Sequence, residues 1–289
     1  MSKTNPTNPE IADLLTHIAD LLEQQEANPF RIQAYRKASQ SVRHAEASVS
    51  RLLEQGGTSK LQAELSGVGK SLARVIKEFV TTGHSSPLQR LQGETSPETL
   101  FQKVPGIGEE MAHRIVSELD IESLEELELA AHDGRLETLE GMGDKRLQGI
   151  RDSLAGMLSR SAQRRAKQRA SQSDEQEASI DVLLKVEAEY RRKANAEELQ
   201  TIAPKRFNPQ GKAWLPILHT ERNGWSFTAL FSNTAKAHIL GKTHDWVVIY
   251  YERDSEEDQC TVVTQQGGPL DGKRVIRGRE QECREYYNI

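Results

Sequence analysis

Three glycine pairs share one spacing, and that spacing carries the clearest chemistry in the sequence. Leu65-Ser-Gly67-Val68-Gly69, Val104-Pro-Gly106-Ile107-Gly108 and Leu139-Glu-Gly141-Met142-Gly143 each run apolar residue, spacer, Gly-apolar-Gly. Apolar residues at helical spacing follow every copy: Leu72, Ala73, Ile76 and Phe79; Met111, Ala112, Ile115 and Leu119; Leu147, Ile150 and Leu154. Glycines permit positive φ and leave the backbone open to an approaching anion. The helix that follows aims its unpaired N–H groups and its dipole at that anion. Contacts of this kind read phosphate rather than base edges, so the pattern predicts sequence-independent DNA binding. A lone Gly-x-Gly is better read as a helix end and a tight turn. Three copies in one register predict tandem helix-hairpin-helix motifs. Lys70 adds charge to the first hairpin, and Lys145 and Arg146 to the third. The second offers Glu109 and Glu110, which would repel phosphate, and reads as a packing unit.

The elements that position these turns are helices. Asn8 with Pro9 opens one whose stripe is Ile11, Leu14, Leu15, Ile18, Leu21 and Leu22. Asn28-Pro29 opens a second, and Val49, Leu52 and Leu53 suit a short third closed by Gly56-Gly57. Ser96-Pro97 starts a helix before the second hairpin. Ser123 with Glu126 makes a capping box before the third.

Charge and aromatic content change along the 289 residues, although the net charge is only −5. Residues 121–140 hold seven acids and one arginine, whereas Arg160, Arg164, Arg165, Lys167 and Arg169 follow with no acid between them. All three tryptophans lie beyond residue 200. The fold class expected is therefore multidomain: an all-α helix-hairpin-helix half and a small α+β domain on a mostly antiparallel sheet. Boundaries are placed at residues 8–84 for the first hairpin unit, 85–158 for the other two hairpins, 159–178 for a basic linker or exposed helix, and 179–289 for the α+β domain. In the last, Asp181–Ala196 reads as a helix. Trp214–His219, Trp225–Phe231, Trp246–Tyr251 and Cys260–Thr264 read as strands, Asn233 as a helix cap, and Arg279–Tyr287 as the closing helix. Asp254–Asp258 reads as a solvated turn. No signal-peptide pattern or membrane-length apolar run is present, and the two cysteines, Cys260 and Cys283, make no disulfide framework or zinc spacing. A cytoplasmic, nucleoid-associated protein without a membrane partner is the expectation.

From about Asn8 to Leu154 the sequence resembles the N-terminal region of bacterial family X DNA polymerases, the group of DNA polymerase beta. The motifs are Ala27-Asn-Pro-Phe-Arg-Ile-Gln-Ala-Tyr-Arg-Lys-Ala38, Leu65-Ser-Gly-Val-Gly-Lys-Ser-Leu-Ala73 and Val104-Pro-Gly-Ile-Gly108. The stretch from Ile121 to Leu136 leading to Gly141-Met-Gly-Asp-Lys145 adds to them. The resemblance implies a lyase-like helical domain holding the 5′-phosphate side of a gap or nick, with Arg31 and Tyr35 at phosphate-contact positions. Read by itself, Tyr35 is equally a core aromatic with its hydroxyl at the surface. The resemblance also implies a monovalent cation (sodium or potassium) on backbone carbonyls, which would be those of Ala63, Leu65 and Val68 and of Gln102, Val104 and Ile107. No other cofactor is expected.

Two departures shape the functional expectation. Val75 stands where lyase-active members carry the Schiff-base lysine, so an amine nucleophile is missing there. Beyond residue 155 no Asp-x-Asp follows a Gly-Ser, so the carboxylates that nucleotidyl transfer needs are not evident. The leading expectation is a DNA-binding protein in repair or maintenance without polymerase catalysis. One alternative is an enzyme whose site lies among His219, Glu221, His238, His244, Cys260 and Cys283. Another is a protein-interaction scaffold, with a protein partner for the C-terminal domain. Trp214, Trp225, Trp246, Tyr250 and Tyr251 fit either a base-stacking platform or a sheet core. Lys273, Arg274, Arg277 and Arg279 fit a solvated basic edge or a contact to DNA or an acidic partner.

Overall fold

The computed structural model describes residues 5–93, 97–102, 104–119, 121, 124–154, 178–253 and 256–289. The segment with Arg160, Arg164, Arg165, Lys167 and Arg169 lies outside these residues, as do Ser96 and Ser123. Among the described residues, no helix is long and apolar enough to cross a membrane.

Residues 8–154 fold as helices around two separate cores. Helix α1 (Asn8–Gln24) starts one residue earlier than the Asn8 cap expected. Thr7 is the cap, in a reciprocal box with Glu10. Asn8 instead ties down the chain before α3: its Oδ1 accepts from Val49 N at 2.8 Å, and its Nδ2 donates to Ala47 O at 3.0 Å. Asn28 caps α2 (Pro29–Arg43) through the Phe30 amide. Helix α3 (Val49–Glu64) breaks at Gly56 and Gly57, the latter at φ 62, so the short helix expected there does end. The piece after the break is the first arm of the first hairpin, and α4 (Lys70–Thr82) is the second arm. Ile11, Leu15, Ile18, Leu22, Leu61 and Ile76 fill the first core. Helix α5 (Ser86–Leu91) lies past the boundary expected at residue 84, yet its Leu88 and Leu91 pack into this core. The second core joins α6 (Pro97–Phe101), α7 (Glu109–Leu119), α8 (Leu124–His132), a 3-10 turn (Arg135–Thr138) and α9 (residues 144–154) around Phe101, Ile115, Leu127 and Ile150.

The C-terminal domain opens with α10 (Ile180–Asn195), capped by Ser179. A six-stranded antiparallel meander follows, β1 (Thr201–Ile202), β2 (Leu215–Arg222), β3 (Trp225–Phe231), β4 (Val247–Arg253), β5 (Glu256–Thr264) and β6 (Arg274–Ile276), paired in sequence order. Asn223 and Gly224, at φ 52 and 76, make the tight turn between β2 and β3. Short α11 (Ala235–Ile239) interrupts the meander, and α12 (Glu280–Tyr287) closes the chain. Thr234 caps α11. Asn233, expected in that role, bonds the Arg206 carbonyl and His238. The strands β1 and β6, two and three residues long, carry too short a pattern to be read in sequence. From Glu256 onward the expected solvated turn is strand, while Asp254 and Ser255 lie outside the described residues.

One face of this sheet is covered by α10 and α12. Tyr190 fixes α10 there: its hydroxyl donates to Pro216 O at 3.0 Å and accepts from Phe231 N at 2.8 Å. The tryptophans belong to the core rather than to a stacking platform. Trp225 and Trp246 are buried, and Arg253 and Arg277 lie over their rings at 4.4 and 4.0 Å. Most of the basic strand end is likewise engaged within the domain, although Lys273 is exposed. Arg274 pairs with Asp245 at 2.5 Å and Glu187 at 2.8 Å, Arg279 with Glu282 at 2.6 Å, and Lys273 lies over Tyr287.

Candidate nucleic-acid interface

The three hairpins repeat one backbone geometry. In each, the amide between the glycines bonds back three residues: Val68 to Leu65 at 3.1 Å, Ile107 to Val104 at 3.0 Å, Met142 to Leu139 at 3.1 Å. The first glycine takes positive φ every time, 78° at Gly67, 95° at Gly106 and 83° at Gly141, where a side chain would be strained. The second glycine accepts the first helical bond, from Ala73 to Gly69 at 2.9 Å, Ala112 to Gly108 at 2.8 Å and Leu147 to Gly143 at 3.0 Å.

The second glycines differ from the first in a way that packing does not explain. Gly69 has an ordinary φ of −76°, and neither Gly108 nor Gly143 is at positive φ. A Cβ built on any of the three would meet nothing within 4 Å. Ser, Asp or Asn at these positions would cap the helix and improve it. Glycine leaves the first-turn amides uncovered on an open surface, and Gly69 provides no side-chain cap. The apolar residue between the glycines is buried in all three: Val68, Ile107 and Met142.

Hairpins two and three pack as a reciprocal pair. Gly106 faces Ile150 and Arg146 of α9, while Gly141 faces Met111 of α7 and Arg146. Met111 and Arg146 each stand three residues beyond their own second glycine, which is the relation a local two-fold would give. Arg114, which sequence reasoning missed, crosses from α7 to the third turn and donates to Glu140 O at 2.8 Å. It also pairs with Glu110 at 2.9 Å, and Glu109 lies 3.9 Å from His84, so the acidic second hairpin has its own basic neighbours. Arg146 folds back onto Gly141 O at 2.8 Å, whereas Lys70 and Lys145 extend into solvent. Lys37, also missed, lies against Gly67 with its Cβ 3.4 Å from where a glycine Cβ would stand. A cleft of about 1070 Å³ separates α4 from α7, with Arg74 and Lys77 on one wall and Glu109, Glu110 and His113 on the other. The carbonyls of Leu65 and Val104, two of the six expected to face a monovalent cation, each accept one turn amide, from Val68 and from Ile107.

Arg31 and Tyr35 occupy a different setting from the hairpins. Tyr35 is buried, so the reading with its hydroxyl at the surface is corrected, and burial pushes its pKa up. Arg31 is mostly covered, 3.7 Å from Glu252 of β4. The cover is the second face of the C-terminal sheet. Strand register puts His219, Thr228, Tyr250 and Gln259 in one row, and Glu221, Ser226, Glu252 and Glu257 in the next. Opposite them stand residues of the N-terminal bundle. Gln25 holds His219 at 3.0 Å, Asn28 bonds Glu221 at 2.5 Å, Arg74 reaches Glu257 at 3.2 Å, and Arg90 pairs with Glu257 while lying 4.2 Å over Tyr250.

Among the candidate nucleophiles and ligands of the C-terminal domain, His219 and Glu221 share a sheet face, and the others lie apart from them. Cys260 follows Gln259 on β5 and so faces away from His219. Cys283 is buried against the Ile276 amide, His238 bonds Asn233 at 2.7 Å and packs on Phe207, and His244 lies beside Phe231. Val75 is buried in the first core.

The helix-hairpin-helix domain family matches residues 6–85, and the SAM-like helix-hairpin-helix tandem family matches residues 97–155. The split agrees with the two helical cores: one hairpin in the first, a reciprocal pair in the second. The chain is 33% identical over 147 residues, half its length, to the DNA polymerase/3′-5′ exonuclease PolX of Bacillus subtilis, and the match covers 24% of that protein. The chain thus spans about a quarter of the length of this curated relative. Its N-terminal half resembles the helix-hairpin-helix region of family X polymerases.

Proposed function

We propose that this chain binds DNA through its phosphate backbone without sequence preference, in DNA repair or maintenance, and does so without polymerase catalysis. The observation that carries the reading is the second glycine of each hairpin. Gly69, Gly108 and Gly143 are required neither by φ nor by packing, yet Gly69 and Gly143 keep a helix start open to an anion, while Gly108 opens onto the acidic Glu109 and Glu110. Gly67, Gly106 and Gly141 shape the turns. Lys70, Lys145 and Arg146 supply charge, and Arg164 and Arg165 would extend the track beyond α9. Arg31 and Tyr35 would hold a 5′-phosphate at a gap or nick. A monovalent cation on the carbonyls of residues 63, 65 and 68 and of residues 102, 104 and 107 would anchor the first two turns to the backbone. The separation of His238 and Cys260 from His219 and Glu221 favours this binding role over an active site in the C-terminal domain. The sheet-to-bundle seam engages that domain within the chain, which weakens the scaffold reading.

The test is a panel of single-stranded, duplex, nicked and gapped DNA of unrelated sequences, with and without a 5′-phosphate, titrated at several salt concentrations. Affinities that are equal across sequences and fall steeply with salt are the expected result. Salt-independent affinity, or retention of one sequence alone, would contradict it.

A further inference from the structure

The seam between the C-terminal sheet and the N-terminal bundle is built from charge. The three apolar cores share no residue, and the sheet meets the bundle mainly through hydrogen bonds and ion pairs. Interfaces of this kind within a chain open and close unless they are large and apolar. Two features mark the seam as an occupied anion site rather than a structural joint. On the bundle side Arg31, Arg74 and Arg90 come from three helices, α2, α4 and α5, and converge on two carboxylates, Glu252 and Glu257. Both Arg31 and Arg90 retain a buried Nε without a partner. Three converging guanidiniums, two of them with a buried donor to spare, form the constellation that takes a multidentate oxyanion such as phosphate. On the sheet side Glu252 and Glu257 oppose each other in register, a like-charge pair that weakens a sheet unless cations lie against it. Apolar residues would join the two domains at least as firmly as buried ion pairs do.

We infer that the C-terminal domain is a reversible cover, its Glu252 and Glu257 standing where a DNA phosphate binds Arg31, Arg74 and Arg90. The cover rests on the DNA-binding reading above. It makes phosphate binding and domain docking mutually exclusive, while the hairpins stay open in both states. The 289-residue chain with Glu252→Gln and Glu257→Gln would bind gapped duplex carrying a 5′-phosphate about tenfold more tightly than wild type, as loss of two competing charge-assisted contacts implies. Glu197→Gln with Glu198→Gln, on an exposed turn of the same domain, removes as much charge and would change affinity less than about twofold. A second variant does not depend on weakening the seam. Asn28→Cys and Glu221→Cys, in a Cys260→Ser chain, are joined by a reducible bismaleimide across the seam. The joined protein would bind 5′-phosphorylated and 5′-hydroxyl gaps equally, and reduction would restore preference for the phosphate. Equal affinity of wild type and the Glu252, Glu257 variant, or an undiminished phosphate preference in the joined form, overturns the cover. Failure of wild type to bind any duplex overturns the DNA reading beneath it.

Discussion

At the scale of residues, the sequence made the repeated glycines legible but not their division of labour. All six look alike in a string of letters. Only backbone angles separate Gly67, Gly106 and Gly141, which the turns require, from Gly69, Gly108 and Gly143, which they do not. His219 shows the opposite case, an isolated histidine whose role depends wholly on a distant helix. It is held by Thr228 and by Gln25, and burial together with Arg31 and Arg90 pushes its pKa down to about 3. The unfolded chain therefore binds a proton below about pH 6.5 that the folded chain refuses. Stability is complete above that pH and declines as pH falls toward 3. Between pH 7 and pH 5 this single group should remove about 2 kcal/mol. Denaturant midpoints at the two pH values, compared with those of His219→Gln, check this: the variant should show a flatter dependence, and an equally steep one would contradict it.

At the scale of elements, helices were legible because their caps and apolar stripes are local. Asn28-Pro29 marks a real start, Ser179 caps α10 one residue ahead of the helix expected from Asp181, and Asn8 failed by one residue because Thr7 with Glu10 completes the better cap. The four longer strands were legible from their β-branched and aromatic runs, whereas β1 and β6 take their pairing from neighbours. The pairing of hairpins two and three had no sequence signal, since it rests on contacts between residues about 40 apart, such as Ile150 against Gly106. Ile150 is fully buried at that junction. Ile150→Ala should destabilise the tandem unit by about 2–4 kcal/mol through the cavity it leaves. Thermal unfolding should then show this unit melting ahead of the first core. An unchanged transition would mean that α9 is not locked against α7.

At the scale of the whole molecule, composition separated a helical half from an aromatic-rich domain, but it hid the relation between them. Glu257 reads in sequence as part of a solvated turn and Glu252 carries no signal at all, yet both lie against three arginines of the bundle. A seam between distant segments leaves no periodicity to read. Gripping phosphate with open helix starts requires several hairpins to act together. The most direct test of that grip is Gly69→Asp with Gly143→Asp in the 289-residue chain. Aspartate is a good N-cap at the ordinary φ of these positions, so thermal stability should hold or rise by a few tenths of a kcal/mol up to about 1 kcal/mol. The same carboxylates occupy and repel the phosphate site. DNA affinity at low salt should fall at least about tenfold, and the salt slope should flatten by about two phosphate contacts. A variant as stable as wild type that binds DNA with wild-type affinity and slope would contradict the account.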